Sequence, residues 1–228
     1  MRFLLVAATE LELAPLVGRL TPATHAHGSE RLRTFTHGSH HVGVLTTGVG
    51  MVATAVWCAR ALVAQPYDLA LNLGVCGSFG AEYPPGTVVN VTTDGFPELG
   101  AEDGDQFLTI QELGLLRPDD PPFTGGRLVN PFVPPHSAIG GLPRVNGITV
   151  NTVHGNRDSI ARVAERLKPD VESMEGAAFM YACLVSGVRF AQVRAVSNMV
   201  ERRNRGAWKL AEAVNALDDF GLRLLEQA

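Results

Sequence analysis

Cysteine is scarce in this chain of 228 residues: Cys58, Cys76 and Cys183 are odd in number, widely spaced and set among apolar neighbours. That excludes a disulfide framework or a cysteine-built zinc site and predicts buried free thiols. Long apolar runs are also absent, and none approaches the ~18 residues of a membrane span. The opening MRFLLVAATELE meets Glu10 and Glu12 after a short apolar stretch, so no secretory segment is read there and a cytoplasmic protein is expected. Basic charge is in deficit, 19 Lys and Arg against 23 Asp and Glu, for a net charge of −4 and a pI near 6.0. With no basic run, neither nucleic acid nor an anionic membrane is expected as the main partner. Metal ligands are few. His25 and His27 form an HxH and His40 and His41 a pair, but no further ligand stands at metal spacing, so all four read as solvated loop or hairpin residues. No metal and no cofactor are expected.

What is present describes an ordinary globular protein, 46% hydrophobic and 18% charged, and a single domain over 1–228 is expected. RFLLVAA at 2–8 predicts a strand. It runs into Thr9-Glu10-Leu11-Glu12, whose Thr and second Glu have capping-box spacing, so a helix begins there and stops near Gly18; Pro15 is tolerable only in its first turn. Residues 32–46 read as two short strands around a turn. Thr47-Gly48-Val49-Gly50 then opens the apolar helix MVATAVWCARALVA. That turn can offer backbone N–H groups to an anion or a sugar hydroxyl, but it is neither GxGxxG nor a P-loop.

LALNL at 69–73 predicts a buried strand breaking into a glycine-rich loop at Gly74, Gly77 and Gly80, and TVVNVTT at 87–93 another strand. From 94 to 143 the chain is dense in proline and glycine, a long loop region expected to cover an active site or meet another subunit. GITVNTV at 147–153 returns to strand, RDSIARVAERL is an amphipathic helix, and GAWKLAEAVNALDDFGLRLLEQA supplies a closing one. Strands alternating with helices make this α/β, a three-layer sandwich around a central sheet.

The most informative stretch is VESMEGAAFMYACLVSGVRFAQVRAVSN at 171–198. Apolar residues at 174, 177, 178, 181, 182 and 185 predict one buried helix face, ended by Gly187, and a strand follows. Glu175 opens the helix and Asn198 closes the strand. A carboxylate at a helix start ordinarily complements the dipole, and an asparagine at a strand end ordinarily makes a turn. Glu12 is in the same position: a capping-box carboxylate, or a reactive one at the carboxyl end of a strand, where ligands bind in open α/β sheets.

Five separated motifs, A-x-E-x-E ending at Glu12, T-G-V-G at 47–50, N-x-G-x-x-G at 72–77, S-M-E-G-A-A at 173–178 and V-R-A-V-S-N at 193–198, together resemble the nucleoside phosphorylase superfamily over nearly the whole chain. Within it the chain is similar to the 5′-methylthioadenosine/S-adenosylhomocysteine nucleosidases and to the futalosine hydrolases, the wording of 98–115 and 171–184 being closer to the latter. The resemblance implies an αβα sandwich with a twisted mixed sheet, a homodimer or larger homo-oligomer, and hydrolysis of a purine nucleoside's N-glycosidic bond; for the futalosine hydrolases it implies futalosine as substrate and hypoxanthine as product. It implies Glu12 as the water-activating carboxylate, Met174 and Glu175 at the ribose, and Asn198 where the adenosine-type enzymes carry an aspartate. Thr47, Gly48, Val75, Cys76, Gly77, Thr152, Val153, Ser173 and Ser197 fall on segments expected to line the pocket.

The chemistry fits those positions. Breaking a ribosyl C–N bond builds positive charge on the sugar and negative charge on the purine, so an anion belongs near the sugar and hydrogen bonds on the base. An asparagine donates to a 6-oxo oxygen and accepts from an N-7 proton, which selects hypoxanthine over adenine. Arg194 reads as a structural ion-pair partner. Phe96, Phe107, Phe123, Phe132 and Arg127, with Arg202, Arg203 and Arg205, are candidates for a carboxyphenyl tail.

Overall fold

The computed structural model describes residues 1–23, 30–133 and 136–227; His25 and His27 lie outside the described residues. The chain opens with β1 (Arg2–Ala7), α1 (Glu10–Val17) and β2 (Thr21–Pro22), then the hairpin β3 (Leu32–His37) and β4 (His40–Thr46). α2 (Met51–Ala64), β5 (Leu69–Ser78) and β6 (Val88–Asp94) follow. The segment expected to be a loop holds a small hairpin, β7 (Gly100–Asp103) and β8 (Gln106–Thr109), then β9 (Leu128–Val129) and α3 (Ser137–Gly140). β10 (Arg144–Thr149), α4 (Arg157–Leu167), β11 (Val171–Ser173), α5 (Gly176–Ser186), β12 (Phe190–Met199) and α6 (Leu210–Gln227) complete the chain.

One ten-stranded mixed sheet joins these strands in the order β11-β10-β6-β12-β5-β1-β4-β3-β2, with β9 beside β6. β4, β1, β5 and β12 are parallel, so their carboxyl ends share one edge. β6 runs antiparallel to β12, and β11 crosses back to pair antiparallel with the end of β5. Helices cover both faces: α1, α6 and α3 close over one core cluster around Leu5, Leu71 and Val193, and α2 and α5 close over a second around Leu4, Ala70 and Phe179. The architecture is the expected αβα sandwich. No helix among the described residues is long and apolar enough to cross a membrane.

Several local expectations are corrected. β5 does not break at Gly74 but continues to Ser78, because β12 on one side and β11 on the other hydrogen-bond it through its glycines. β10 starts earlier than expected and ends at Thr149, so Thr152 and Val153 lie beyond it on a connection. Pro15 sits in the second turn of α1, tolerated because the carbonyl it deprives belongs to Leu11 on the exposed side of a two-turn helix. The buried face of α5 is only partly the one expected: Ala177, Ala178 and Ala182 are buried, but the rest of the face differs. Tyr181 and Val185 are exposed, whereas Phe179, Met180 and Cys183 are buried; a helix apolar all round carries no periodicity from which to read its face. α6 starts at Leu210, after a short 3-10 turn at Arg205–Ala207. Cys58, Cys76 and Cys183 are buried and free.

Candidate active site

The shared carboxyl edge of β1, β5 and β12 opens into a cavity of about 390 Å³. Glu12 reaches it from the start of α1. Its Oε2 accepts the Thr9 N–H at 2.8 Å and the Thr9 hydroxyl at 3.1 Å, while Oε1 accepts the Val75 N–H at 3.2 Å. The capping box therefore does two things: it starts the helix and aims the carboxylate, 7% exposed, into the cavity.

Glu175 is the N-cap residue of α5 and is 5% exposed. Its Oε1 accepts the Gly50 N–H at 3.2 Å, which ties it to the Thr47–Gly50 turn, and its Oε2 lies 3.5 Å from Arg194 Nη1. Burial pushes the Glu175 carboxyl above its ordinary range; Arg194 and the Gly50 N–H oppose that shift, and the nearby Glu12 adds to it. Arg194 is 1% exposed and is held by Asn72 at 2.5 Å, Gln192 at 3.2 Å and the Val75 carbonyl at 3.4 Å. A Cβ on Gly74 would collide with its guanidinium and stand 3.0 Å from Glu12 Oε1, which gives the third residue of N-x-G-x-x-G its reason.

Asn198 also lines the cavity. The β5–β12 register shifts between Val196 and Asn198, so the extra residue breaks strict alternation and both Ser197 and Asn198 line the site. Asn198 Oδ1 accepts the Ser197 hydroxyl at 2.8 Å and Nδ2 donates to the Met199 carbonyl at 2.9 Å. One N–H and one lone pair of the amide stay available to a ligand.

Of the residues expected at the pocket, Val75, Cys76, Gly77, Val153, Ser173 and Met174 also line it. Burial pushes the Cys76 thiol up to about 12, so it is an apolar wall and not a nucleophile. Thr47 and Gly48 do not line the cavity: Thr47 is buried behind it, its hydroxyl donating to the Gly48 carbonyl at 2.8 Å, and Val49 is the turn's contribution to the wall. Thr152 is exposed and outside the lining, because β10 has already ended.

No described residue of 94–143 lines this cavity. Phe96, Phe123 and Arg127 instead wall a separate one of about 340 Å³ against α4, Phe107 stacks under Arg166, and Phe132 packs on Phe190. Arg202, Arg203 and Arg205 are all exposed, and of the three Arg203 lines the cavity and lies over Trp208.

Reasoning from the sequence missed Trp208 and Glu172. Trp208 lies in the link to α6, held where the Lys209 N–H meets the Ser197 carbonyl at 2.7 Å. Glu172 is a buried strand carboxylate paired with His154 through both the ring and the backbone N–H; its signal was a charged residue inside an otherwise buried strand.

The family model of the phosphorylase superfamily matches residues 2–226. The chain belongs to the phosphorylase superfamily. Among members of this superfamily, the futalosine hydrolase of Streptomyces coelicolor is 32% identical over 188 residues, covering 77% of this chain and 75% of the relative. That of Acidothermus cellulolyticus is 32% identical over 222 residues, 94% and 86% of the two chains. The superfamily fold also matches a 5′-methylthioadenosine/S-adenosylhomocysteine nucleosidase from Colwellia psychrerythraea in complex with adenine, at a TM-score of 0.81 and 21% identity, over 100% of this chain and 95% of that one.

Proposed function

We propose that this chain, acting as one domain, hydrolyses the N-glycosidic bond of futalosine and releases hypoxanthine. The observation that carries the reading is the cavity itself, whose lining brings together the buried carboxylates of Glu12 and Glu175 and the amide of Asn198. The named relatives support the choice of substrate.

Glu12, anchored through Thr9 and Val75, keeps lone pairs facing the cavity and takes the proton of an attacking water. The water oxygen bonds to the anomeric carbon as the C–N bond breaks, and its electron pair leaves with the purine. Glu175 binds the sugar hydroxyls and opposes the positive charge that develops on the ring. Asn198 offers its free N–H to the 6-oxo oxygen and its free lone pair to the N-7 proton, which the purine takes from solvent as it receives the C–N electron pair. Water and not phosphate is the nucleophile, because the chain places Glu12 where an anion would have to sit and the carboxylate repels it.

The test is base release from futalosine, aminofutalosine, methylthioadenosine and inosine in phosphate-free buffer, with the purine identified by chromatography. Hypoxanthine from futalosine is the expected product. Asn198→Asp should raise adenine release from aminofutalosine relative to hypoxanthine release from futalosine by at least about 10-fold, since a mispaired buried polar group discriminates by up to ~10⁴. Adenine from methylthioadenosine as the main wild-type product would sink this assignment in favour of the methylthioadenosine reading.

The finer expectations follow the same line. The active form is a cytoplasmic homodimer or larger homo-oligomer: Val49, Val52 and Val56 on and before α2, with Tyr181 and Val185 on the neighbouring α5, leave an exposed apolar face that a second copy covers. Light scattering at the mass of one chain would refute it.

A further inference from the structure

Outside the cavity lining lies a set of buried polar groups that the reaction described above does not use. Asp94 at the end of β6, Thr149 at the end of β10 and Gln192 in β12 are wholly buried. Asp94 accepts the Gly95 N–H at 2.7 Å, the Thr149 hydroxyl at 3.1 Å and Gln192 Nε2 at 2.9 Å. These donors, and no salt bridge among the described residues, offset part of the cost of burial, which still pushes the Asp94 carboxyl above its ordinary range.

Two arms leave Asp94, and both end at Glu175. Thr149 Oγ1 donates to Asp94 and accepts the Ala177 N–H at 2.7 Å, filling an open donor in the first turn of the helix that Glu175 caps. Gln192 turns its amide nitrogen to Asp94 and its oxygen to Arg194 Nε at 3.2 Å, and Arg194 Nη1 is the group beside Glu175. The orientation of Gln192 is forced. A flipped amide would set oxygen against the carboxylate and NH₂ against the guanidinium. The arms meet at Gly176, where a Cβ would press into Gln192 Oε1 and stand 2.5 Å from Asp94 Oδ2; glycine follows Glu175 because the network leaves no room for a side chain.

We propose that Asp94 is a positioning residue for Glu175, fixing the first turn of α5 through Thr149 and the Arg194 guanidinium through Gln192. The inference rests on the nucleosidase reading, in which Glu175 holds the sugar. Thr149→Val tests it with little change of shape, since only the hydroxyl is lost. On the nucleoside that the wild-type chain turns over, kcat should fall by about 10-fold to 100-fold with KM changed less than about threefold, the pattern of misplacement near the transition state. Thr149→Ser should recover most of that loss. In a Glu175→Gln background, Thr149→Val should remove nothing further from the residual rate, because the two act as one unit. Gln192→Leu cuts the other arm and should show the same split, which keeps the test open if Thr149→Val does not fold. A folded Thr149→Val with wild-type kcat, or a loss that persists undiminished without Glu175, overturns the proposal. A wild-type chain that releases no base from any nucleoside removes the nucleosidase reading itself, a distinct result.

Discussion

Glu12→Gln should lower turnover of futalosine by about 10²-fold to 10⁴-fold, the range that general base catalysis supplies, while changing the dissociation constant of a bound nucleoside by less than about threefold. The carboxylate accepts from Thr9 and from Val75 on different oxygens. A glutamine has one acceptor for two donors, so one of those bonds is lost, at a cost of about 1 kcal/mol. For a chain of this size that lowers Tm by only about 2–4 °C, and the variant stays folded through the assay. Single-turnover base release and calorimetric binding on the same preparation separate chemistry from affinity. Ordinary turnover by Glu12→Gln would falsify the role given to that carboxylate.

Removal of the guanidinium has the largest expected effect on stability. Arg194→Leu should destabilise the fold by about 3–5 kcal/mol, because it strips a buried charge pair of one partner. Glu175 Oε2, Asn72 Oδ1 and Gln192 Oε1 would all lose the guanidinium as a partner, with Glu175 keeping the Gly50 N–H on Oε1. The expected fall in Tm is about 6–20 °C. It should also depend on pH in a defined direction. The Glu175 carboxyl is already held above its ordinary range by burial, so ionising it costs the folded state stability as pH rises from the unfolded value through the folded one. Without Arg194 that cost grows. The variant should therefore lose more stability at about pH 8 than at about pH 5, and the acidic limb of kcat/KM should move to higher pH. Equal losses at both values would mean that Arg194 supports the fold without tuning Glu175.

Thr9 and Glu12 illustrate how local chemistry was legible. A capping box is a four-residue pattern, so the helix start could be read from the chain, and the structure shows the same carboxylate serving both as cap and as cavity wall. The carboxyl edge at which Glu12 sits was legible for a related reason, since the carboxyl ends of parallel strands face one way, whereas Glu175 and Asn198 were placed beside it only by the resemblance of their motifs. Local patterns also misled. The glycines of β5 look like a loop in isolation, yet two neighbouring strands hold them extended.

The sequence by itself determined the α/β class, the capping-box carboxylate, the N-cap glutamate and the strand-end asparagine, because each is written in adjacent residues whose backbone preferences are local. Only the tertiary structure decided which groups meet. Glu12 finds the Val75 N–H 63 residues away, and Asp94 finds Gln192 98 residues away, through sheet order and register that no window of sequence contains. It also placed Phe96, Phe123 and Arg127 against α4 and α5 instead of at the cavity that Glu12 lines, and chose the covered face of an all-apolar helix. Long-range strand pairing and helix packing make those choices, and their free energy comes from contacts between residues far apart in the chain.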